Sequence, residues 1–521
     1  MNTTLCALQR LLNDKGIDAR LLGASEEAPC PLDGADCDSR LAAPNHLFIC
    51  KGVAFKPAYL ADALAKGCTA YLCDQSHADE LATTAPDAPA LVVPDADLRR
   101  AMALVSAEAW GHPDRDLTVI GITGTKGKST CSYMLRSILD AGHERPQAAL
   151  IGSIQTFDGI EDLASVNTTP EAPDLWRHVA NARKAGLPYL VMEVSSQALK
   201  YDRVVDLGLD LACFLNIGHD HISPIEHPDF EDYFASKLRI FDQARVAVVN
   251  LATDHLDQVL DHARACQRVL TFLADPARKA SGSPGPDVWA TDVRYQGTGT
   301  RFLAHTPTWE GQLSLRMPGD FNVENALCAL AVCAQLGIPQ DQVRAGLARA
   351  SVPGRMEVLP LEGGRIVGVV DFAHNQMAFS KFFPAVTRQF PDRTLVSVFG
   401  AVGDKALERR IELPQEAAPW SDHMIYTLDD PGTEPVEDIC QQMVDATPEE
   451  SSCEVVVDRK EAIVRSLDWA RHNQGPRGAL VCLLARGTEP TQHIGHSFVP
   501  YPLDATVFLA AAQDLGLSSE L

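Results

Sequence analysis

Nine short runs of almost unbroken apolar residues set the strongest limit on how this chain folds. Four are LTVIGIT (117–123), YLVMEVS (189–195), LACFLNI (211–217) and VAVVNLA (246–252). Five more are RIVGVVD (365–371), TLVSVFG (394–400), HMIYTLD (423–429), CEVVVD (453–458) and ALVCLLA (479–485). A strand with one wet face alternates polar and apolar residues, so a near-continuous run marks a strand covered on both faces. Helical patterns separate several of the runs, and parallel α/β sheets are therefore expected. The two groups of runs imply two such sheets, the second doubly wound, with ligands at the carboxyl ends of its strands. Residues 1–112 mix short helical and strand patterns, which gives three expected domains: 1–112, 113–351 and 352–521.

The 521 residues carry a formal net charge of −24, which argues against a nucleic-acid binder or a polybasic membrane-surface protein. An anionic small-molecule substrate remains compatible, because a cleft's local field can oppose the net charge. The opening stretch MNTTLCALQRLLNDKG has no basic region followed by an apolar one, so no signal peptide is expected. Residues 325–337, NALCALAVCAQLG, are too short for a membrane span and read as a buried helix. The 14 cysteines are scattered without metal-ligand spacing and read as buried, reduced thiols of a cytoplasmic protein. The segment 276–300, rich in Gly, Pro, Ser and Asp, reads as a loop or hairpin region.

Directly after the first apolar run stands GITGTKGKST (121–130), followed by the helical run SYMLRSILDAG. Gly124 and Gly127 permit a tight backbone whose N–H groups face phosphate oxygens. The helix start adds its positive dipole end, Lys128 can neutralise β/γ oxygens, and Ser129 can ligate Mg²⁺. The strict phosphate-loop pattern needs glycine at 122, where this chain has Ile122, so the loop is a variant. An ordinary glycine-rich turn is the alternative.

The variant T-G-T-K-G-K-S-T resembles the ATP loop of the Mur ligases and their folylpolyglutamate synthetase relatives. Further motifs of that family follow in order over residues 38–489. They include Asp38-Ser39-Arg40 with Leu47-Phe48, Asn167-Thr168-Thr169-Pro170, and Glu193-Val194-Ser195-Ser196 through Arg203-Val204. Asn216 with Asp220-His221 and Lys237, Phe321-Asn322-Val323 with Asn325-Ala326, Pro353-Gly354-Arg355-Met356-Glu357 and Asp371-Phe372-Ala373-His374 complete the set. The resemblance is to the branch that adds the third amino acid of the peptidoglycan precursor.

That resemblance implies an UDP-sugar-binding N-terminal domain, a central P-loop-type ATPase sheet, and a C-terminal, Rossmann-like doubly wound lid for the amino acid. It implies an ATP-dependent ligase that joins the D-Glu side-chain carboxylate of UDP-MurNAc-L-Ala-D-Glu to an amino acid through an acyl phosphate. Two anions must meet in that reaction, so cations and metal ions are required. The resemblance assigns ATP to Gly124, Thr125, Lys126, Gly127, Lys128, Ser129 and Thr130, with Asn325, Arg355 and Asp371 closing over it. It places two Mg²⁺ ions on Ser129, Glu193, His221 and a carbamylated Lys237, and makes Lys128, Glu193, His221 and Lys237 the catalytic set. A carbamate is an oxygen donor where an ammonium cannot ligate a cation, and it needs a lysine of lowered pKa. Ser39, Asn167, Thr168, Thr169, Ser195 and Arg203 are assigned to the UDP-linked substrate. Taken one at a time, Glu193, His221 and Lys237 read as readily as a capped carboxylate, a loop histidine and a helix lysine.

Departures from the family pattern cluster at the amino-acid end. Asp429-Asp430-Pro431-Gly432 stands where the diaminopimelate-adding enzymes carry D-N-P-R, so the arginine for that substrate's carboxylate is replaced by Gly432. Asp429 and Asp430 suit a cationic side chain such as lysine or ornithine, although a plain acidic turn is the alternative. Glu489 is expected at the amino group and Arg410 at the α-carboxylate of the incoming amino acid. Phe55-Lys56-Pro57 replaces the family's D-G-H stretch, and Tyr201 stands where some relatives have Gln. Two other readings stand beside this one: a Mur-like ligase with a different substrate, of polyglutamate or cell-wall-modifying type, and a non-catalytic nucleotide-binding subunit. The partners expected are the UDP-sugar peptide and an amino acid, with no nucleic acid, no membrane and a monomeric chain.

Overall fold

The computed structural model describes residues 3–23, 30–52, 54–220, 222–223, 226–275, 285–297 and 299–519. They fall into two compact units: residues 1–288 with 328–338, and residues 289–327 with 339–521.

The first unit holds two large sheets and a two-stranded pair, Thr3–Thr4 with Pro31–Leu32. One runs Arg20–Leu22, Ala90–Val93, Ala70–Asp74, His46–Ile49, Gly34–Asp36, parallel except for its first pair. Successive strand residues point to opposite faces. Leu47 and Ile49 accordingly enter a core with Leu5, Leu8 and Met102, while Phe48 and Cys50 enter another with Leu60 and Leu81. Each fully buried Leu or Phe contributes roughly 1.5–3 kcal/mol, so both faces are anchored.

The second sheet carries the predicted apolar runs. Its order is Asp162–Ala164, Gln155–Phe157, Ala148–Ile151, Tyr189–Glu193, Thr118–Thr123, Leu209–Phe214, Ala244–Asn250, Arg268–Leu273. From Ala148–Ile151 to Arg268–Leu273 the pairs are parallel. Thr118–Thr123 lies between Tyr189–Glu193 and Leu209–Phe214. The chain leaves it to one side and later returns on the other, which makes its carboxyl end a switch point. The helix Lys128–Asp140 follows that end.

In the second unit, Trp289–Gln296 and Gly299–His305 pair antiparallel, so the described part of 276–300 is a hairpin as expected; residues 276–284 lie outside the described residues. The doubly wound sheet runs Glu357–Leu361, Ile366–Val370, Ala479–Leu483, Thr394–Phe399, His423–Tyr426, Cys453–Val455, parallel after its first pair. Phe379, Phe383 and Phe399 fill one face and Phe508, Leu467 and Val481 the other. The apolar run at 325–337 is helical, from Asp320 to Leu336. All 14 cysteines are free thiols, most of them buried. No described helix is long and apolar enough to cross a membrane.

Candidate functional site

The phosphate loop has the backbone its glycines predict. Gly124 has φ +153° and Gly127 φ +92°. A Cβ on Gly124 would lie 2.9 Å from the Leu215 Cβ and 3.3 Å from the Asn216 amide nitrogen, so the loop packs too closely for any other residue. Asn216 clamps it on both sides. Its Oδ1 accepts from the Lys126 N–H at 2.9 Å, and its Nδ2 donates to the Lys126 carbonyl at 3.0 Å. Thr125 joins the loop to the Tyr233 hydroxyl at 3.0 Å, and the Gly218 N–H donates to the Thr125 Oγ1 at 3.0 Å. No side chain caps the start of Lys128–Asp140, whose N–H groups and positive dipole end face the loop. Thr130 is buried in the first turn of that helix.

Two lysines share one acceptor. Lys128 and Lys237 donate to the Gly124 carbonyl at 2.9 and 3.0 Å. Lys237 is only 2% exposed on the helix Phe230–Leu238. Burial, with the Lys128 charge beside it, pushes the Lys237 amine well below the usual lysine range, against the pull of Asp220. Asp220 itself pairs with Lys126 at 3.1 Å.

Across the neighbouring strand ends, Glu193 is 1% exposed. Its Oε1 accepts from the Ser153 N–H at 2.9 Å, and the Ser153 Oγ bridges to the Ser129 Oγ at 2.9 Å. A side chain at Gly152 would collide with the Glu193 Oε1, so the Gly152-Ser153 pair is shaped around that carboxylate. The motifs of the sequence do not mark this pair; its only signal is a Gly-Ser step straight after a buried strand. Lys128, Ser129, Glu193 and Lys237 thus gather at adjacent strand ends, whereas His221 lies outside the described residues.

At the expected substrate end, Asn167 is exposed and Thr168 half-buried. Thr169 is fully buried, and its hydroxyl donates to the Glu193 carbonyl at 2.9 Å and accepts from the Ser195 N–H at 3.0 Å, which ties it to the strand end. The Ser195 Oγ caps the helix Ser196–Lys200 by accepting from the Ala198 N–H. Arg203 donates to the Thr169 carbonyl at 3.1 Å and pairs with Glu171 at 2.9 Å. In the Asp38-Ser39-Arg40 turn, Asp38 and Arg40 pair with each other, and the Ser39 carbonyl accepts from Lys66 at 2.7 Å.

The second unit brings Arg355 and Asp371 together through the backbone. Asp371 accepts from the N–H groups of Met356 (2.7 Å) and Ala373 (2.8 Å), and the Arg355 guanidinium lies 4.4 Å over the Phe372 ring. Asn325 is inside its helix rather than at a cap, donating to the Asn322 side chain at 3.2 Å. Arg410 is the residue expected at the α-carboxylate of the amino acid. It is 3% exposed and closes in a bidentate pair on Glu434, at 2.9 and 2.6 Å.

Asp429, Asp430 and Glu489 lie around one strand-end cluster. Burial, with Asp430 and Glu489 adding to it, lifts Asp429 to about 6 against the pull of Arg459 and Arg486. Burial and Asp430 also raise Glu489. The Asp430 Oδ1 accepts from the His493 N–H at 2.9 Å and from Arg486 at 3.4 Å. Gly432 has φ +58°, its N–H donates to the His493 carbonyl at 3.0 Å, and a side chain there would collide with Asp404. The Asp404 carboxylate can move aside, so it is the left-handed backbone that disfavours arginine at this position.

A glycine-shaped loop at the switch point, a helix start carrying Lys-Ser and a buried carboxylate on the next strand define an enzyme that handles a nucleoside triphosphate. Residues 122–333 match the Mur ligase middle domain, and residues 354–487 match the Mur ligase, glutamate ligase domain. The chain is 36% identical over 471 residues to the UDP-N-acetylmuramoyl-L-alanyl-D-glutamate–L-lysine ligase of Enterococcus faecalis, covering 90% of this chain and 89% of that one. It is 35% identical over 493 residues to an UDP-N-acetylmuramyl-tripeptide synthetase of Bifidobacterium longum, covering 93% and 92%. A solved UDP-N-acetylmuramoyl-L-alanyl-D-glutamate–2,6-diaminopimelate ligase shares the fold with a TM-score of 0.64 at 23% identity, over 99% of this chain and 100% of that one. The chain belongs to the Mur ligase family, and it is an ATP-dependent acid–amino-acid ligase.

Proposed function

We propose that this ligase joins the D-Glu side-chain carboxylate of UDP-MurNAc-L-Ala-D-Glu to the amine of L-lysine or ornithine, as a cytoplasmic, monomeric step of peptidoglycan precursor synthesis. Residues 1–112 anchor the UDP-sugar, 113–351 handle ATP and 352–521 deliver the amino acid. The observation that carries the reading is the strand-end cluster of Asp429, Asp430 and Glu489 beside a Gly432 whose positive φ disfavours arginine. Arg486 pairs with Asp429 and Asp430, and Arg459 is already committed to Asp504, so these carboxylates suit a side-chain ammonium. The lysine-ligase relative from Enterococcus faecalis agrees with it.

The residues present fit ATP and Mg²⁺. The positive-φ glycines and the uncapped helix start cradle a polyphosphate. Ser129 and Glu193, linked through Ser153, would hold one Mg²⁺, and His221 with Lys237 would complete a second site. Bound there, the metal offsets negative charge where carboxylate and triphosphate meet. A buried amine of lowered pKa is the form that reacts with CO₂: its nitrogen bonds the carbon, a proton leaves, and Lys237 becomes an oxygen-bearing carbamate.

Lys128 steadies the transferring phosphoryl group. A substrate carboxylate oxygen attacks the γ-phosphorus, ADP leaves, and an acyl phosphate remains. The amine then attacks the acyl carbon, phosphate leaves, and the nitrogen loses its proton. Glu489 orients the amine for that attack, and Arg355 and Asp371 hold the nucleotide.

Phosphate release with UDP-MurNAc-L-Ala-D-Glu, ATP and Mg²⁺ tests the reading. It is expected with lysine or ornithine and absent with meso-diaminopimelate. Release with diaminopimelate alone would overturn the amino-acid assignment, and no release with any amino acid would overturn the acceptor.

A further inference from the structure

Three cations from separate segments converge on Glu171. Lys51, after the strand His46–Ile49, stands 3.2 Å from its Oε2; Arg99, at the start of the helix Leu98–Ala109, stands 3.7 Å from the same oxygen. Arg203 stands 2.9 Å from its Oε1. Glu171 occupies the N-cap position of the helix Ala172–Lys184, yet its side chain makes no capping hydrogen bond. It serves the cations instead of the helix. Burial pushes the Glu171 carboxyl up, but Arg203, Lys51 and Arg99 outweigh it and hold it below the usual range.

One carboxylate against three cations leaves two positive charges over. The nearby acids do not cancel them. Asp174 pairs with Arg177 at 3.6 Å and Asp36 with His46 at 2.7 Å. The Cys37 thiol is pushed up to about 12 by burial and stays neutral. The Arg203 Nε is buried without a hydrogen-bond partner among the described residues. A partly buried guanidinium left with a spare donor is costly unless a ligand completes it.

We propose that Lys51, Arg99 and Arg203 form an oxyanion site for the UDP-linked substrate, with Glu171 as the built-in counterion that spaces the cations before that substrate binds. The proposal rests on the substrate reading above and adds Lys51, Arg99 and Glu171, which no sequence motif marked. The ligand chemistry is an oxyanion with two sources on one molecule: the diphosphate bridge and the α-carboxylate of the glutamate. Arg99 also lies 4.7 Å over the Tyr201 ring, which fixes its direction along the site.

Calorimetric titration of the full chain with UDP-MurNAc-L-Ala-D-Glu, and with its isoglutamine analogue lacking the α-carboxylate, tests the site. K51M and R99M, singly and together, are expected to weaken the natural ligand at least about tenfold for the pair. Equal weakening of the analogue identifies the diphosphate; weakening confined to the natural ligand identifies the carboxylate. E171Q removes the competing charge and is expected to bind several-fold tighter, which a merely structural glutamate would not do. Unchanged affinity in the double variant overturns the site, and unchanged or weaker binding by E171Q overturns the counterion. A wild-type chain that binds neither ligand would instead overturn the substrate reading.

Discussion

The phosphate-loop region and the amino-acid loops solve opposite electrostatic problems. Around Gly124 two lysines lie on one carbonyl, and the polar groups are fixed by backbone clamps through Asn216 and Thr125. Around Gly432 the charges neutralise one another: Arg410 with Glu434, Arg486 with Asp430, and Arg459 with Asp504 in a fully buried pair at 2.7 Å. In the first region Lys128 is the cation proposed to meet a polyphosphate, beside a Lys237 amine of lowered pKa. The second is self-compensated, and on the proposed reading selectivity there comes from what remains after pairing, namely Asp429 and Glu489. On this reading, lysines gathered on loop carbonyls mark the chemistry common to the reaction, while a small surplus within a balanced network marks the choice of amino acid.

The largest expected effect breaks the first region. K237M removes the side chain proposed to help hold the second metal and is expected to lower turnover by about a thousandfold or more. The fold should gain from it, because a buried amine is replaced by an apolar chain of similar length. Lys237 has a folded pKa below its unfolded one, so the folded chain binds fewer protons between those two values. Stability contributed there rises with pH, is lost as pH falls, and should lose that slope in K237M. Melting curves across neutral to alkaline pH check both points.

G432R puts back the arginine of the diaminopimelate enzymes and is the sharpest test of the second region. Its positive φ predicts a loss of about 1–3 kcal/mol and no gain of diaminopimelate use. Chemical denaturation and amino-acid kinetics measure these. D429N is expected to raise KM for lysine about tenfold while KM for ATP stays unchanged. Asp429 must be ionised to attract an ammonium, so wild-type kcat/KM for lysine should fall as pH drops through about 6. That limb should flatten in D429N. The smallest effect belongs to S153A, which loses the bridge between Ser129 and Glu193. About a threefold higher Mg²⁺ requirement is expected, with a smaller Mg²⁺-induced rise in melting temperature, and S153T should restore both.

The same contrast explains what could be read before the structure. The phosphate loop was legible because its signals are local: two glycines with positive φ, a Lys-Ser pair, a buried strand before and a helix after. The apolar runs fell on strands for the same reason. Ser153 and Gly152 were not legible, because they meet Glu193 only through a sheet order that pairs Ala148–Ile151 with Tyr189–Glu193 forty residues away. The Thr169 hydroxyl bridges Glu193 and Ser195, a tie across 24 residues that its N-T-T-P motif does not announce. The Arg410–Glu434 fork crosses 24 residues of intervening chain, and no spacing rule announces it. Opposite charges far apart in sequence become partners only when the loops at the strand ends close together.

A competition assay tests the central claim most directly. The chain, with ATP, Mg²⁺ and UDP-MurNAc-L-Ala-D-Glu, is given lysine, ornithine and meso-diaminopimelate in equal amounts, and the nucleotide product is weighed by mass spectrometry. The expected product carries lysine or ornithine in amide linkage. A product carrying diaminopimelate alone would contradict the account of Asp429, Asp430 and Gly432.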